Sequence, residues 1–303
     1  MARSRGGGKQ LRISIIGAGR LGTALALALR DSGHEIAAVV TRTQKGAARA
    51  KRILGGAIPR LTRDTLSDLP PSDVSLIATP DDEIGNSSED LLKLGIAQRR
   101  TVLLTSGALS SQIIQPLKHG GSHVGSLHPL VSVSESRKGA EALRGGYFCV
   151  EGDRAATTVA RRIVRDLDGK AFSVRTGKKA LYHAAAVMSS GHLVALVDLA
   201  TQMLNECGLT KSEARKVLLP LVQSTVNNLV ASEPARALTG TFSRGDRSTV
   251  KRHLEALSET RLADALAAYI VLGRHSLIIA KRRADNPAFE KLRKILNAIK
   301  TDE

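Results

Sequence analysis

Short apolar runs alternate with helix-forming stretches through the first 175 residues of the chain. Seven runs are strand-like: Leu11–Ile16, Glu35–Val40, Val74–Ala78, Thr101–Thr105, His123–Ser126, Tyr147–Val150 and Lys170–Val174. Strands that alternate with helices are typical of βαβ units, in which the strands lie parallel in one sheet. The pattern therefore predicts an α/β domain with a mainly parallel sheet over residues 11–175, preceded by a disordered basic tail over residues 1–10.

From residue 176 to 303 the strand pattern stops and apolar helical segments follow one another. One long helix is predicted from about Lys178 to Cys207, where Gly208 ends it. The next helices are expected after the capping box Thr210–Glu213 (with a kink at Pro220), from Asp246 or Ser248 to Leu257, over Arg261–Arg283, and after Pro287. The segment Leu238–Asp246 is expected to be a loop. The second domain is thus predicted to be all-helical.

The composition indicates a globular protein: 42% of the residues are hydrophobic and 24% are charged. The apolar stretch Ala184–Leu196 contains polar residues, so we interpret it as a buried helix and not as a membrane span. Cys149 and Cys207 lie in apolar runs and are expected to be buried free thiols, although a disulfide is the alternative. No signal peptide is recognised, and a cytoplasmic location is expected.

The formal net charge of +17 predicts anionic ligands. Nucleic acid is one such ligand, but the basic residues are scattered and aromatic residues make up only 2% of the chain, so stacking platforms are scarce. Small phosphorylated or carboxylated molecules fit the composition better than nucleic acid. No metal ligands are assigned.

The first strand runs directly into a GxGxxG element formed by Gly17, Gly19 and Gly22, and a helix-forming stretch follows. In this context the first glycine permits a tight turn, the second lets the backbone approach a pyrophosphate, and the third lets helix and strand pack closely. The diphosphate would lie at the helix N-terminus, next to Arg20 and Leu21. The sequence therefore predicts a Rossmann-type dinucleotide site; a glycine-rich turn without a ligand is the alternative.

The end of the second strand indicates which dinucleotide is bound. NAD sites usually carry Asp or Glu there to bind the ribose 2′-hydroxyl, whereas this chain has Arg42, Thr43 and Lys45. Arg42 can bind a 2′-phosphate through charge-assisted hydrogen bonds, with Thr43 and Lys45 as further donors. The prediction is NADP(H); Arg42 as an ordinary solvated charge is the alternative.

Two other strand ends should face the same crevice, because ligands bind at the carboxyl ends of parallel strands. These are Thr79-Pro80 and Ser106, which we predict on the nicotinamide-ribose side of the cofactor. Thr79-Pro80 could equally be an ordinary strand stop.

The apolar helix that begins near Lys178 carries ionisable and hydroxyl side chains on roughly one face: Lys179, His183 and Ser190. His183 and Lys179 are predicted as acid/base residues for hydride transfer, and Ser190 as a substrate ligand. A histidine bonded to a backbone carbonyl and a lysine at the helix surface are the alternative interpretation. His128, at a strand end, and Arg244 are predicted to orient an anionic group of the substrate, whereas Asp246 is expected to cap a helix.

Five motifs in this order resemble a bacterial family of proteins classed as oxidoreductases, which pair a Rossmann-like domain with a helical domain of unknown function. The motifs are Ile16–Gly22, Thr105–Leu109, Ser126–Leu130, Tyr182–Ala186 and Ser243–Asp246. The wider resemblance is to the 6-phosphogluconate dehydrogenase-like group, which includes pyrroline-5-carboxylate reductase, ketopantoate reductase and prephenate dehydrogenase.

The resemblance implies a helical domain that dimerises, and a lysine with an asparagine one turn later on the helix that enters the cleft. Lys179 and His183 match that pattern, with His in place of Asn, and His128-Pro129 is similar to the His-Pro of prephenate dehydrogenases. Gly191 departs from the family, because close relatives have Asn after the Ser of this helix.

Taken together, we expect an NADP(H)-dependent oxidoreductase that acts on a small anionic carbonyl, imine or hydroxy-acid substrate bound between its two domains, and that forms a homodimer. A non-catalytic NADP(H)-binding sensor or assembly protein is the alternative, which Gly191 favours.

Overall fold

The computed structural model describes residues 9–55, 58–96 and 98–299, so most of the predicted N-terminal tail lies outside the described residues. The chain divides into two compact units, the first ending at Met188 and the second beginning at Ser189.

The first unit is built on one sheet. Its strands are β1 (Arg12–Ile16), β2 (Glu35–Thr41), β3 (Arg60–Thr62), β4 (Val74–Ile77), β5 (Thr101–Leu104), β6 (His123–Pro129), β7 (Tyr147–Gly152) and β8 (Lys170–Phe172). All seven predicted strands are present. The additional strand, β3, has three residues, two of them polar, so it has no apolar run by which the sequence could reveal it.

The strand order is β3-β2-β1-β4-β5-β6-β7-β8. Neighbouring strands are parallel except β6 and β7, which pair antiparallel with Ser126 opposite Glu151 and His128 opposite Cys149. The predicted fold class, a Rossmann-type mainly parallel sheet followed by an all-helical region, is confirmed. The order reverses between β1 and β4, and the crevice at such a switch point is where ligands bind in open α/β sheets.

Helices cover both faces of this sheet. They are α1 (Arg20–Asp31), α2 (Gln44–Leu54), α3 (Asp81–Lys93), α4 (Ser136–Leu143), α5 (Arg154–Asp166) and α6 (Lys179–Ser189), with 3₁₀ helices at Arg63–Asp68, Ser111–Gly120 and Thr176–Lys178. One core joins α1, α2, α4 and α5 to one face of the sheet, and a second core joins α3 and the first two 3₁₀ helices to the other face. Apart from Phe148 in the first core, both cores are aliphatic, in line with the low aromatic content.

The second unit is helical. Its helices are α7 (Gly191–Glu206), α8 (Lys211–Ala231), α9 (Pro234–Ala237), α10 (Gly240–Arg244), α11 (Arg247–Ser258), α12 (Ala263–Lys281) and α13 (Pro287–Ala298). The predicted capping box is present at Thr210 and Glu213, and the carboxylate of Asp246 accepts a hydrogen bond from the Thr249 N–H as the cap of α11. The core of this unit lies between α11, α12 and α13.

Several expectations for the helical region are wrong. The predicted helix from Lys178 to Cys207 is two helices, because Ser190 leaves helical geometry with φ −128° and ψ −74°. The expected loop Leu238–Asp246 contains the short helix α10. Both cysteines are free thiols as predicted, but Cys207 is exposed, because it lies at the end of α7 instead of in a core.

The apolar helix Ala184–Leu196 is not buried as predicted. Met188 and Val194 are 67% and 71% exposed, because these helices carry more apolar surface than their neighbours in the chain cover. By length and composition, Thr176–Glu206 and Ala263–Lys281 could each cross a membrane. The first, however, is interrupted at Ser190 and fastened to the sheet through Lys179, and the second supplies part of the core of its unit.

Candidate functional site

The turn after β1 approaches the turn after β4 so closely that only glycine fits. Gly17 has φ +100°, and a β-carbon on it would lie 2.6 Å from the carbonyl carbon of Ala78. A β-carbon on Gly22 would lie 2.1 Å from the carbonyl oxygen of Gly17. These contacts are the tight turn and the close helix–strand packing that the GxGxxG pattern predicts.

Gly19 has a different role, because among the described residues no atom outside its own stretch of chain lies within 4 Å of the position its β-carbon would take. It caps α1 without a side-chain hydrogen bond, so the first N–H groups of that helix, on Arg20, Leu21 and Gly22, have no partner within the helix. Such a helix end attracts anions. Thr79 contributes a buried hydroxyl that has no hydrogen-bond partner among the described residues. A glycine left open, free N–H groups and an orphaned hydroxyl fit a bound diphosphate.

A cleft of about 400 Å³ extends from this turn along the ends of β1, β2 and β4. The predicted cofactor residues that line it are Gly17, Gly19, Arg42, Thr43, Thr79 and Pro80. Arg20, Leu21, Gly22, Lys45 and Ser106 are not part of the lining. Thr43 already uses its hydroxyl oxygen, which accepts a hydrogen bond from the Gly46 N–H at the start of α2.

The lining also contains two arginines that were not predicted from the sequence, Arg49 and Arg63. Arg63 is neutralised by acidic residues of α3: its Nε lies 2.7 Å from Asp90, and Glu83 lies beyond. Arg42 and Arg49 are in no ion pair within the part of the chain that the structure describes. The far end of the cleft therefore presents two uncompensated guanidinium groups next to β2, which ends without a carboxylate. Arg49 could have been recognised because it lies one turn after Lys45 on the same helix.

A second group of functional side chains lies on one face of β6 and β7. Ser126 and His128 alternate with buried Leu127, and they lie opposite Glu151 and Cys149. Helix α6 begins beside this face, where Lys179 reaches Ser126 and Tyr182 reaches His128. This face of the sheet is therefore polar at the carboxyl end of β6.

Lys179 is 1% exposed, although it carries an ammonium group. Its Nζ lies 2.9 Å from the carbonyl oxygen of Ser106, 2.5 Å from Oγ of Ser126 and 3.8 Å from Oε1 of Glu151. Burial lowers the pKa of Lys179, and the Glu151 carboxylate opposes that shift. The ammonium therefore donates two hydrogen bonds inside the protein and forms a longer ion pair with Glu151, and the side chain links α6 to β5, β6 and β7.

Glu151 completes this network. Its carboxylate accepts hydrogen bonds from the backbone N–H of Ser111 at 2.8 Å and from the Ser111 hydroxyl at 2.9 Å. The sequence analysis missed Glu151, Ser126 and Ser111. Of these three residues only Glu151 could have been recognised from the sequence, because it is an acidic residue directly after the apolar run Tyr147–Val150.

His128 and His183 flank the backbone of Gly107, and Tyr182 contacts His128. The hydroxyl of Tyr182 lies 2.7 Å from Nδ1 of His128, and the two imidazole rings stand edge to face with their centroids 5.6 Å apart. A β-carbon on Gly107 would lie 2.3 Å from Nδ1 of His183 and 2.8 Å from Nε2 of His128. Glycine at this position is what permits both rings to approach the loop.

Burial, with His183 and Lys179 nearby, lowers the pKa of His128 to about 4. His128 is therefore neutral at physiological pH. Burial also raises the pKa of the Tyr182 hydroxyl above its ordinary value, so this group stays protonated. The two side chains form a neutral hydrogen-bonded pair.

The structure thus brings together Lys179, His183, His128 and Ser106 in the first unit. Ser106 acts in the loop itself, where its hydroxyl accepts hydrogen bonds from the N–H groups of Ala108 and Leu109. Ser190 and Arg244 belong to the second unit. Arg244 is exposed and ends α10.

The sheet topology and the glycine turn define the first unit as a Rossmann-like domain. The Rossmann-like domain model matches residues 4–129, and a domain of unknown function, DUF2520, matches residues 146–276. The chain therefore carries the two domains that the resemblance implied. His128 falls in the first match, and Glu151, Lys179, Tyr182 and His183 fall in the second, so the polar cluster is assembled from both.

Solved structures share this fold. A protein from Thermotoga maritima has a TM-score of 0.70 at 22% identity and is aligned over 90% of this chain and 100% of its own. A candidate NADP oxidoreductase from Bacteroides fragilis has a TM-score of 0.69 at 22% identity, over 89% and 98% of the two chains. A pyrroline-5-carboxylate reductase from Coxiella burnetii has a TM-score of 0.57 at 16% identity, over 92% and 100%. No curated protein shows significant sequence similarity to the chain.

Proposed function

We propose that this protein is an NADP(H)-dependent oxidoreductase that acts on a small carbonyl, imine or hydroxy-acid substrate bearing an anionic group. One observation carries the proposal: the cleft that begins at the glycine turn ends at Arg42 and Arg49, which have no acidic partner among the described residues. The names of the similar structures from Bacteroides fragilis and Coxiella burnetii support it.

The residues of the cleft fit the parts of the dinucleotide. The free N–H groups at the start of α1, on Arg20, Leu21 and Gly22, would bind the diphosphate beside Gly17 and Gly19. Thr79 and Pro80 would lie along the nicotinamide ribose, near the loop of Ser106.

At the other end of the cleft, Arg42 and Arg49 would bind the 2′-phosphate, with Thr43 and Lys45 at the N-terminus of α2 adding to the positive potential. Bound NADPH would supply the hydride.

The residues around Gly107 would bind the substrate and exchange a proton with it. His183 is the proposed acid/base residue, because an imidazole can both accept and donate a proton and its Nδ1 is buried without a hydrogen-bond partner among the described residues. Lys179 assists by fixing α6 to the sheet, and His128 orients the reacting group. Ser190 and Arg244 are proposed as further substrate ligands on the strength of the sequence alone.

The direct test is calorimetric titration of the purified protein with NADPH and with NADH, followed by a screen of oxo acids, imines and hydroxy acids at the nicotinamide absorbance. We expect NADPH to bind at least about 10-fold more tightly than NADH, because charge-assisted hydrogen bonds to the 2′-phosphate contribute about 1.5–3 kcal/mol. The absence of binding to both dinucleotides would refute the proposal.

A non-catalytic NADP(H)-binding protein is the second candidate function. It is favoured by the Lys179 ammonium, which is buried and already donates hydrogen bonds to Ser106 and Ser126 beside the Glu151 carboxylate. Substitution His183→Ala separates the two candidates once a substrate is found. An acid/base residue should cost at least about 100-fold in turnover while NADPH affinity is retained.

We also propose that the protein is a cytoplasmic homodimer that associates through its helical unit. Exposed apolar side chains on three helices support this: Leu193 and Val194 of α7, Val226 and Val230 of α8, and Val271 and Ile278 of α12. Sedimentation should give a dimer for the wild type and a monomer for the double variant Val194→Glu, Val230→Glu. A monomeric wild type at micromolar concentration would contradict the proposal.

A further inference from the structure

The proposed reaction assigns no role to Tyr182, yet its side chain makes several specific contacts. Its hydroxyl lies 2.7 Å from Nδ1 of His128, and its ring packs edge-on against His128 and against Phe172, with centroid distances of 5.6 and 5.7 Å. The position of the hydroxyl is therefore set from two sides, and the contact with His128 is specific.

The direction of this hydrogen bond follows from the partners that are present. Within the described chain Nδ1 of His128 is the one hydrogen-bond partner of the Tyr182 hydroxyl. We infer that the hydroxyl is the donor, because an imidazole nitrogen is a stronger acceptor than a phenol oxygen and a phenol is a stronger donor than an imidazole N–H. The raised pKa of Tyr182 keeps that proton in place. An Nδ1 that accepts a hydrogen bond carries no proton, so the single proton of the neutral His128 ring resides on Nε2.

The protonated nitrogen faces the place where chemistry is proposed. Nε2 of His128 and Nδ1 of His183 both abut the α-carbon of Gly107, since a β-carbon there would lie 2.8 Å and 2.3 Å from them. A hydrogen-bond donor and a buried nitrogen that has no hydrogen-bond partner in the described part of the chain therefore lie beside the same glycine.

We propose that Tyr182 is a positioning residue that holds His128 in the Nε2–H tautomer, so that His128 is a neutral hydrogen-bond donor to the substrate oxygen beside Gly107. A neutral imidazole of this kind can polarise a carbonyl without bringing a charge into the site. The role toward substrate rests on the proposed function, whereas the tautomer itself does not.

The test is a long-range ¹H–¹⁵N correlation spectrum of the full-length protein with ¹⁵N-labelled histidine at pH 7, which distinguishes protonated from unprotonated ring nitrogens. His128 is assigned by the signals lost in His128→Gln. We expect a protonated Nε2 and an unprotonated Nδ1 in the wild type, and in Tyr182→Phe a shifted Nδ1 signal with both tautomers populated.

The chain supplies a matched control in the second unit. The hydroxyl of Tyr269 also lies 2.7 Å from a histidine Nδ1, that of His253, with ring centroids 5.8 Å apart. Tyr269→Phe should change the His253 signals and leave those of His128 in place. A protonated Nδ1 on His128 in the wild type would overturn the proposal without any variant, and so would unchanged His128 signals in Tyr182→Phe.

Activity gives a second readout once a substrate is found. Tyr182→Phe should lower kcat roughly 10-fold with little change in KM, as for the loss of part of an acid/base contribution. Absence of dinucleotide binding would refute the proposed function and leave the tautomer measurement standing, so the two failures are distinguishable.

Discussion

Nζ of Lys179 lies 3.8 Å from Oε1 of Glu151, and the two side chains are only 1% and 6% exposed. The ammonium also donates to Ser106 and Ser126, and the carboxylate accepts two hydrogen bonds from Ser111. One buried ion pair thus joins the start of α6 to the ends of β5, β6 and β7. It fixes the first residue of α6 against the sheet.

Removal of the carboxylate should therefore be costly. Glu151→Ala leaves a buried ammonium without its counter-charge, and we expect the free energy of unfolding to fall by about 3–5 kcal/mol in urea titrations at pH 7. The control is Glu89→Ala, which breaks an ion pair with Lys93. The side chains of Lys93 and Glu89 are 72% and 65% exposed. That change should cost no more than about 0.5 kcal/mol. Equal losses in the two variants would show that the buried pair contributes nothing of its own.

The low pKa of His128 links stability to pH. The folded protein binds this proton only below about pH 4, whereas an unfolded chain binds it below the ordinary value of 6.5. Between these values the unfolded state holds more protons, so stability falls as the pH drops from 6.5 to 4. The contribution is on the order of 2 kcal/mol after allowance for partial exposure.

The measurement compares the loss of unfolding free energy between pH 7 and pH 4 in the wild type and in His128→Gln. The variant should lose less, by the amount that His128 contributes. His34, whose pKa is also lowered by burial, acts equally in both proteins and cancels. The same pH dependence in the two proteins would contradict a depressed pKa at His128.

The glycine turn was predictable because its signal is local. At Gly17 and Gly22 the backbone of another residue comes so close that a side chain would not fit. These close approaches follow from a strand–turn–helix pattern that is visible in the sequence. The lining residue Arg63 could not be found in this way. It follows β3, an edge strand too short and too polar for its hydrophobic pattern to reveal.

The polar cluster needed information that no local pattern contains. Glu151 meets Lys179 only because β7 runs antiparallel to β6 and brings Glu151 opposite Ser126. A strand–helix alternation predicts parallel neighbours, so it gives no reason to pair these residues. The break at Ser190 was missed for the opposite reason, since the apolar sequence continues across it and only the backbone angles change.

Gly107 gives a test of how tightly the two histidines are packed. Gly107→Ala would place a methyl group 2.3 Å from His183 and 2.8 Å from His128, so we expect a loss of about 1–3 kcal/mol in unfolding free energy from overpacking. Turnover of an identified substrate should fall about 100-fold, because both rings are displaced. Gly85→Ala is the control, since in the described structure no atom beyond the backbone of α3 itself lies within 4 Å of that β-carbon position. If Gly107→Ala changes stability and turnover no more than Gly85→Ala does, the two rings can move aside and their close packing is not needed for function.

The two uncompensated arginines of the cleft make the choice of cofactor testable. Arg42→Ala should weaken NADPH binding by about 10- to 100-fold and leave NADH binding unchanged, because only NADPH carries the 2′-phosphate. Arg49→Ala should act in the same direction. Arg52→Ala is the matched control, since this arginine is on α2 but does not line the cleft. Calorimetric titration of each variant with both dinucleotides gives the comparison. If Arg42→Ala weakened NADPH and NADH equally, the guanidinium would contact the adenosine that both share, and the assignment of the 2′-phosphate to this end of the cleft would be wrong.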